Sequence, residues 1–376
     1  MNKHISILGI RGLPAAHGGF EAFAEKLSLY LVEKGWKVTV YCQEFGEGSV
    51  CEKYWQGVRL IVIPVKQEGA MGSIIFDWKS ILHAIKQDSV VLTLGYNTAV
   101  FNLMYRLKHK INIINMDGLE WKRAKWSFPI KAWFYLNEII GCHVGNYLIA
   151  DHPEIRNHLV TRVTKNKVTM IPYGADDVTT ADEAILSEFN LEKDNYYLII
   201  ARPEPENSIL EIVKAFSIKY RDAKLVVLGK FDERINYHKE ILAAANDNVI
   251  FVGAIYDKKI VSAFRYFCLA YIHGHQVGGT NPSLVEALGA GSAVIAHDNK
   301  FNRWVAGSDA CYFPSTEQCA QILNTLDNNK EKVAEMRLAS KKQFYEKFQW
   351  DDILLEYEKL ISIDVGMDGK LKKERA

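Results

Sequence analysis

The chain has almost no net charge, no paired cysteines and no long apolar run, and each absence narrows what it does. Lys and Arg number 46 and Asp and Glu 45, a net charge of +1, so no global field draws in nucleic acid. The six cysteines lie far apart, at 42, 51, 142, 268, 311 and 319. None forms a Cys-x-x-Cys pair and no histidine cluster accompanies them, which argues against zinc and for thiols in a reducing compartment. No apolar run approaches the ~20 residues of a membrane span. The first residues lead directly into a strand pattern, Ile5-Ser6-Ile7-Leu8-Gly9-Ile10, without the apolar core of a signal peptide. A cytoplasmic location is expected. No Asp-x-Asp stands at a strand end, so no divalent cation holding a diphosphate is signalled. Internal repeats and low-complexity tracts are missing too. What is present is 376 residues, 48% hydrophobic and 24% charged, enough for two or three domains with sizeable cores.

The first half alternates strands and helices. A strand over 4–10 leads through a glycine-rich loop into a helix over 20–34. Phe20, Phe23, Ala24, Leu27, Tyr30 and Leu31 recur there at helical spacing and mark its buried face; Gly35 ends it. Further strands are expected over 37–41, 58–63, 89–94, 112–116, 147–150 and 168–171. A polar, acidic stretch over 175–194 separates them from a second series, 196–201, 224–228, 248–252, 269–272 and 293–296. Alternation of this kind predicts parallel sheets covered on both faces. Two Rossmann-like doubly wound domains follow, over 1–175 and 190–345, facing each other across a cleft. A C-terminal helix over 350–363 is expected to pack back on the first, and the charged tail from 364 to be mobile. Ligands should sit at the carboxyl ends of the strands.

The richest stretch is Gly278-Gly279-Thr280-Asn281-Pro282-Ser283-Leu284-Val285-Glu286, between two apolar runs. Asn281 as N-cap and Pro282 at the first helical position start a helix cleanly. The two glycines admit a close ligand, and the helix N-terminus suits a phosphate. Glu286, one turn in, is placed to accept bonds from sugar hydroxyls; the plain alternative is a βαβ turn with a surface Glu. After the first strand, Arg11, Gly12, His17, Gly18 and Gly19 form a loop too long for a dinucleotide fingerprint, either a cover over a sugar or phosphate or a structural turn. Asp117 falls just past a strand, as a base or hydroxyl acceptor or as a helix N-cap. Trp121, Lys122, Arg123, Lys125, Trp126, Phe128, Lys131, Trp133 and Phe134 interleave aromatic and basic residues. That suits an anionic lipid surface or a pyrophosphate-linked lipid, or else core aromatics beside a solvated face. Arg202 follows the first strand of the second domain as a phosphate clamp or a surface residue, and Lys230 is a weaker candidate.

Together these residues resemble a GT-B glycosyltransferase of the retaining nucleotide-sugar family numbered four. Within it they resemble a bacterial subgroup marked by Arg-Gly-Leu-Pro (here 11–14), Gly-Gly-Phe-Glu (18–21), Asp-Gly-Leu-Glu-Trp (117–121), Ala201-Arg202 and Gly-Gly-Thr-Asn-Pro-Ser-Leu (278–284). The chain departs from the broad family at Gly278, where an acidic residue usually precedes Glu286 by eight positions, and at Asn207, where a Lys is usual. The resemblance implies transfer of a sugar, L-rhamnose from dTDP-rhamnose or alternatively a hexose from a UDP donor. The acceptor would be a polyprenyl-diphosphate-linked saccharide at the inner face of the membrane, in surface polysaccharide synthesis. No cofactor and no metal are implied. Donor binding would fall to Gly18, Gly19, Arg202, Lys230, Gly278, Gly279, Thr280, Asn281, Glu286 and the amides of Ser283 and Leu284. Acceptor binding would fall to Arg11, His17, Glu120, Trp121 and Arg123, and catalysis to Asp117, Arg202 and Glu286. A nucleotide-sugar epimerase using His17, His152, His273 or His275, and an inactive sugar-binding protein, are the rival readings.

Overall fold

The computed structural model describes residues 3–16 and 18–363; His17 and the tail 364–376 lie outside the described residues. The chain divides into two compact units: residues up to Pro172 with those from Asp351 on, and Tyr173–Trp350.

The first unit holds β1 (His4–Leu8), α1 (Gly19–Glu33), β2 (Lys37–Phe45), β3 (Cys51–Trp55), β4 (Val58–Val65), α2 (Gly69–Ala84), β5 (Val90–Leu94), α3 (Leu103–Leu107), β6 (Asn112–Asn115), α4 (Phe128–Val144), β7 (Tyr147–Ala150), α5 (Pro153–Leu159) and β8 (Val168–Met170). Its sheet runs β3-β4-β2-β1-β5-β6-β7-β8. All neighbours are parallel except β3, which pairs antiparallel with β4. Every residue of β1 is buried, as expected of a central strand covered on both faces. On α1 the buried face is Glu21, Phe23, Ala24, Leu27, Ser28 and Leu31. Phe20 is only half-buried, and Tyr30 reaches Glu358 Oε2 at 2.9 Å.

The second unit holds α6 (Ala184–Glu188), β9 (Tyr196–Ile200), α7 (Ile209–Ser217), β10 (Lys224–Leu228), α8 (Asn236–Ala244), β11 (Val249–Gly253), α9 (Lys258–Phe267), β12 (Ala270–His273), α10 (Pro282–Gly289), β13 (Val294–His297), α11 (Lys300–Ala306), β14 (Cys311–Phe313), α12 (Thr316–Leu326) and α13 (Lys330–Lys347). Its sheet is parallel throughout, in the order β11-β10-β9-β12-β13-β14. One core, around Ile212, Phe216 and Leu323, packs one set of sheet residues; a second, around Phe264, Leu284 and Leu288, packs the other. The chain then returns as α14 (Trp350–Ser362), whose Tyr357 ring lies 4.6 Å from that of Phe23 in the first unit.

In each sheet the winding reverses once, between β1 and β5 and between β9 and β12. Such switch points open a crevice at the strands' carboxyl ends. A tight glycine marks each one. At Gly9 (φ +91°) a Cβ would stand 2.1 Å from the Leu94 carbonyl oxygen, and at Gly274 it would stand 2.1 Å from that of Asn207. No larger residue fits either place.

Candidate active site

In the second unit two loops meet at the switch point, one after β9 and one after β12. Side chains stitch them together. Ser208 Oγ donates to the Gly274 carbonyl at 2.8 Å, and Gln276 Nε2 donates to Ser208 Oγ at 2.8 Å. Asn207 Nδ2 donates to the Arg202 carbonyl at 2.8 Å, which turns its Oδ1 toward His275 Nδ1. An amide oxygen only accepts, so this nitrogen of His275 carries the proton. Asn207, where the broad pattern has Lys, is thus a buried brace and not a free cation. Arg202 and Lys230 are both exposed.

The loop after β12 delivers the chain into α10. Asn281 caps it, its Oδ1 accepting from the Ser283 amide at 3.0 Å, with Pro282 in the first turn. The Leu284 amide donates to the Asn281 carbonyl at 3.1 Å. The two amides expected to meet a phosphate are therefore engaged by Asn281, and the Leu284 side chain is wholly buried. Thr280 is buried, while Gly278 and Gly279 are half-buried.

Glu286 is 38% exposed and its Oε2 lies 2.5 Å from Nη2 of Arg265, a residue of α9 that is almost entirely buried. Arg265 also reaches Ser283 Oγ at 3.2 Å, and Tyr271 holds the same hydroxyl at 2.7 Å. Arg265 Nε is buried and meets no acceptor. A carboxylate half open to solvent and oriented from behind by a buried guanidinium is well placed to accept bonds from a pair of hydroxyls. His273 is buried, and burial beside His275 and His297 pushes its pKa well below the usual value, so it stays neutral.

In the first unit Asp117 follows β6 in the left-handed region, at φ +48°. Its amide donates to Asn115 Oδ1 at 3.0 Å. Burial, and then the neighbouring Glu120, push its pKa up to about 6. Tyr96 pins the loop: its hydroxyl donates to the Gly118 carbonyl at 3.1 Å and accepts from the Glu120 amide at 2.9 Å. Glu120 accepts from Arg123 at 2.8 Å and Trp126 at 3.3 Å. Trp121 donates to the buried Glu138 at 2.6 Å; His158 and Arg162 lie 2.8 and 2.6 Å from the same carboxylate. Burial alone would raise the pKa of Glu138, but bonds from His158 and Trp121 hold it below the ordinary value. Glu120, Trp121 and Arg123 thus spend much of their bonding capacity on one another and on Glu138.

At the first unit's switch point a cavity of about 330 Å³ opens, lined by Gly9, Arg11, Gly18, Gly19, Glu21, Asp77, Thr98 and Asn102 among others. Asp77, on α2, accepts from Thr98 Oγ1 at 2.7 Å, and burial pushes its pKa up to about 6. Neither Asp77 nor Arg265 carried a motif. The one available signal was Arg265 itself, a lone cation in the run Val261-Ser262-Ala263-Phe264-Arg265-Tyr266-Phe267, where burial demands a partner. Among the described residues no three His, Cys, Asp or Glu side chains gather to hold a metal ion, and no helix is long and apolar enough to cross a membrane.

Residues 2–176 match the model of a domain of unknown function, DUF1972, and residues 182–343 match glycosyl transferases group 1. No curated protein matches the chain. Among solved structures, sucrose-phosphate synthase from Thermosynechococcus elongatus superposes with a TM-score of 0.81 at 15% identity, covering 95% of this chain and 98% of that one. Anabaena HepE in complex with UDP and glucose gives 0.76 at 12%, covering 96% and 100%. A structure of trehalose-6-phosphate from E. coli bound with UDP-2-fluoro glucose gives 0.73 at 8%, covering 96% and 99%. These similarities establish the fold over nearly the whole chain.

Proposed function

From the GT-B fold of the chain and the match of residues 182–343 to glycosyl transferases group 1, we infer a glycosyltransferase that takes its sugar from a nucleotide donor held by the second unit. The observation that carries this reading is Glu286, half open one turn into α10 and fixed from behind by Arg265 at 2.5 Å. Glu286 binds the ribose hydroxyls, and Arg202 and Lys230 neutralise the diphosphate beside the Gly278-Gly279 turn. Stabilising that leaving group electrostatically supplies much of the rate. The first unit binds the acceptor, with Asp117 receiving the proton of the attacking hydroxyl or holding it in place. Transfer proceeds with retention and without a metal.

The donor we propose is dTDP-rhamnose, supported by the motifs at 11–14, 18–21 and 278–284. UDP-glucose is the second reading, favoured by the HepE structure with UDP-glucose. The acceptor is a lipid-diphosphate saccharide. The segment leading into α4 supports a peripheral membrane contact: Phe128 is 83% exposed, and Lys122 and Lys125 just before it are exposed, as a surface dipping into an anionic interface requires.

Purified protein is incubated with dTDP-rhamnose, UDP-glucose and UDP-GlcNAc, each with and without a lipid-diphosphate sugar. Nucleoside diphosphate released only when the acceptor is present supports transfer. Epimerised donor without release would replace the reading by an isomerase, and product from UDP donors alone would remove rhamnose. Pelleting with anionic vesicles tests the membrane contact; a Lys122→Gln, Lys125→Gln, Phe128→Ser variant that pellets as well as the parent would refute it.

A further inference from the structure

The cavity at the first unit's switch point is lined in part by Arg11, Gly18 and Gly19, but its Asp77, Thr98 and Asn102 belong to no motif. It lies over the carboxyl ends of β1 and β5, where a doubly wound sheet presents ligands. Its volume of about 330 Å³ falls at the small end of the ~300–1,000 Å³ of ligand pockets. The lining alternates apolar faces, Phe20 and Phe76, with hydrogen-bonding groups, Gln43, Asn97, Thr98 and Asn102. That mixture matches a pyranose ring, with its apolar C–H faces and rim of hydroxyls. The charges are decisive for class. Two carboxylates, Glu21 and Asp77, and one cation, Arg11, stand in its lining, so acidic groups outnumber basic ones and oppose phosphate or carboxylate groups on a ligand.

We propose that this cavity is a subsite for an uncharged pyranose, and that Asp77 is its selecting group. Its carboxylate binds ring hydroxyls and turns away anionic sugars. Thr98 holds one carboxylate oxygen, Oδ2, at 2.7 Å, and leaves Oδ1 as the acceptor for a ring hydroxyl. The subsite deepens the glycosyltransferase reading, on which its role as acceptor site rests; its ligand class does not depend on that reading.

The test uses the full chain and ligand-observed NMR with dissociation constants. The probes are methyl glycosides of glucose, galactose, rhamnose and N-acetylglucosamine, against glucose 6-phosphate and glucuronic acid. At least one methyl glycoside binds the parent, and both anionic sugars bind at least tenfold more weakly. Asp77→Asn, nearly isosteric, weakens the bound glycoside about tenfold, the loss of one charge-assisted bond, and narrows the gap to glucose 6-phosphate. Thr98→Val, which keeps the carboxylate and removes its brace, weakens binding about threefold. UDP and dTDP affinities, read in the same samples, stay at parental values in both variants and show that the protein is folded. Absence of binding by every methyl glycoside, anionic sugars binding as well as neutral ones, or unchanged glycoside affinity in Asp77→Asn overturns the proposal. Failure of UDP and dTDP to bind the parent would instead count against the donor site, leaving the cavity's result standing by itself.

Discussion

Asp117→Asn separates the cost of a buried carboxylate from its use. The side chain keeps its shape, and Asn tolerates the left-handed backbone at φ +48° as well as Asp does. The folded pKa of Asp117 is about 6 against an ordinary 3.8, and each unit corresponds to about 1.4 kcal/mol. Ionised Asp117 therefore costs the native state about 3 kcal/mol, of which solvent reaching a half-buried group leaves about 1–2 kcal/mol. The sign follows from linkage. A raised acid pKa means the native state holds the proton more tightly, so the fold is favoured below pH ~4 and loses that advantage as pH rises to ~6. Asn never ionises. The variant should match the parent in stability near pH 4 and exceed it near pH 8. For a unit of this size that is a melting point higher by roughly 2–8 °C. Activity should move the other way: kcat/KM of the parent rises tenfold per pH unit below ~6 and levels above it, and the variant falls ~10²–10⁴-fold if Asp117 is the base. Thermal unfolding at pH 4 and pH 8, with the pH–rate profile, measures both. Equal stability difference at the two pH values would show that the carboxylate is solvated in the ordinary way and would refute the reasoning.

Arg202→Ala should leave melting unchanged, because the side chain is exposed, and should weaken nucleoside-diphosphate binding by about 1.5–3 kcal/mol by calorimetry; parental affinity would remove it from the site. Arg265→Ala takes away the 2.5 Å partner of Glu286, and since Glu286 keeps access to water the loss in denaturant unfolding should be about 1.5–3 kcal/mol, below that of a fully buried pair. Nucleotide affinity should fall with it, and Arg265→Lys should restore the charge but not the reach to both Glu286 and Ser283. Gly9→Ala drives a Cβ to 2.1 Å from the Leu94 oxygen; it should cost more than the ~1–3 kcal/mol of an unusual φ alone, visible as loss of soluble protein.

Local chemistry was legible and distant pairing was not. Asn281 and Pro282 announce the start of α10 because a cap acts within three residues, and buried parallel strands such as β9 and β10 announce themselves as largely apolar runs. The strand β3, Cys-Glu-Lys-Tyr-Trp, escaped notice because nearly all of it is exposed and it owes its strand form to pairing with β4. Asp77 and Arg265 escaped for a related reason. Each matters through a residue 21 positions away, Thr98 and Glu286 respectively, and no spacing rule reaches that far outside a helix. In the aromatic and basic run at 121–134 the pattern was visible but its internal pairing was not: Trp121 and Arg123 are drawn into bonds with Glu138 and Glu120.

The return of α14 sets a timetable for folding during synthesis. Its Tyr357 closes over Phe23 and accepts from Asn115 Nδ2 at 2.9 Å, and its Glu358 accepts from Tyr30 and Trp36 at 2.9 and 3.0 Å. All of those partners leave the ribosome before residue 173, whereas α14 follows residue 350. At ~5–20 residues per second the wait is roughly ten to forty seconds. Throughout it the first-made unit stands with the seat of Ile353, Leu354 and Leu360 uncovered, while the second unit, Tyr173–Trp350, is being made. The earliest part of the chain to emerge is the last to finish, and it is this part that a nascent-chain chaperone would have to shield.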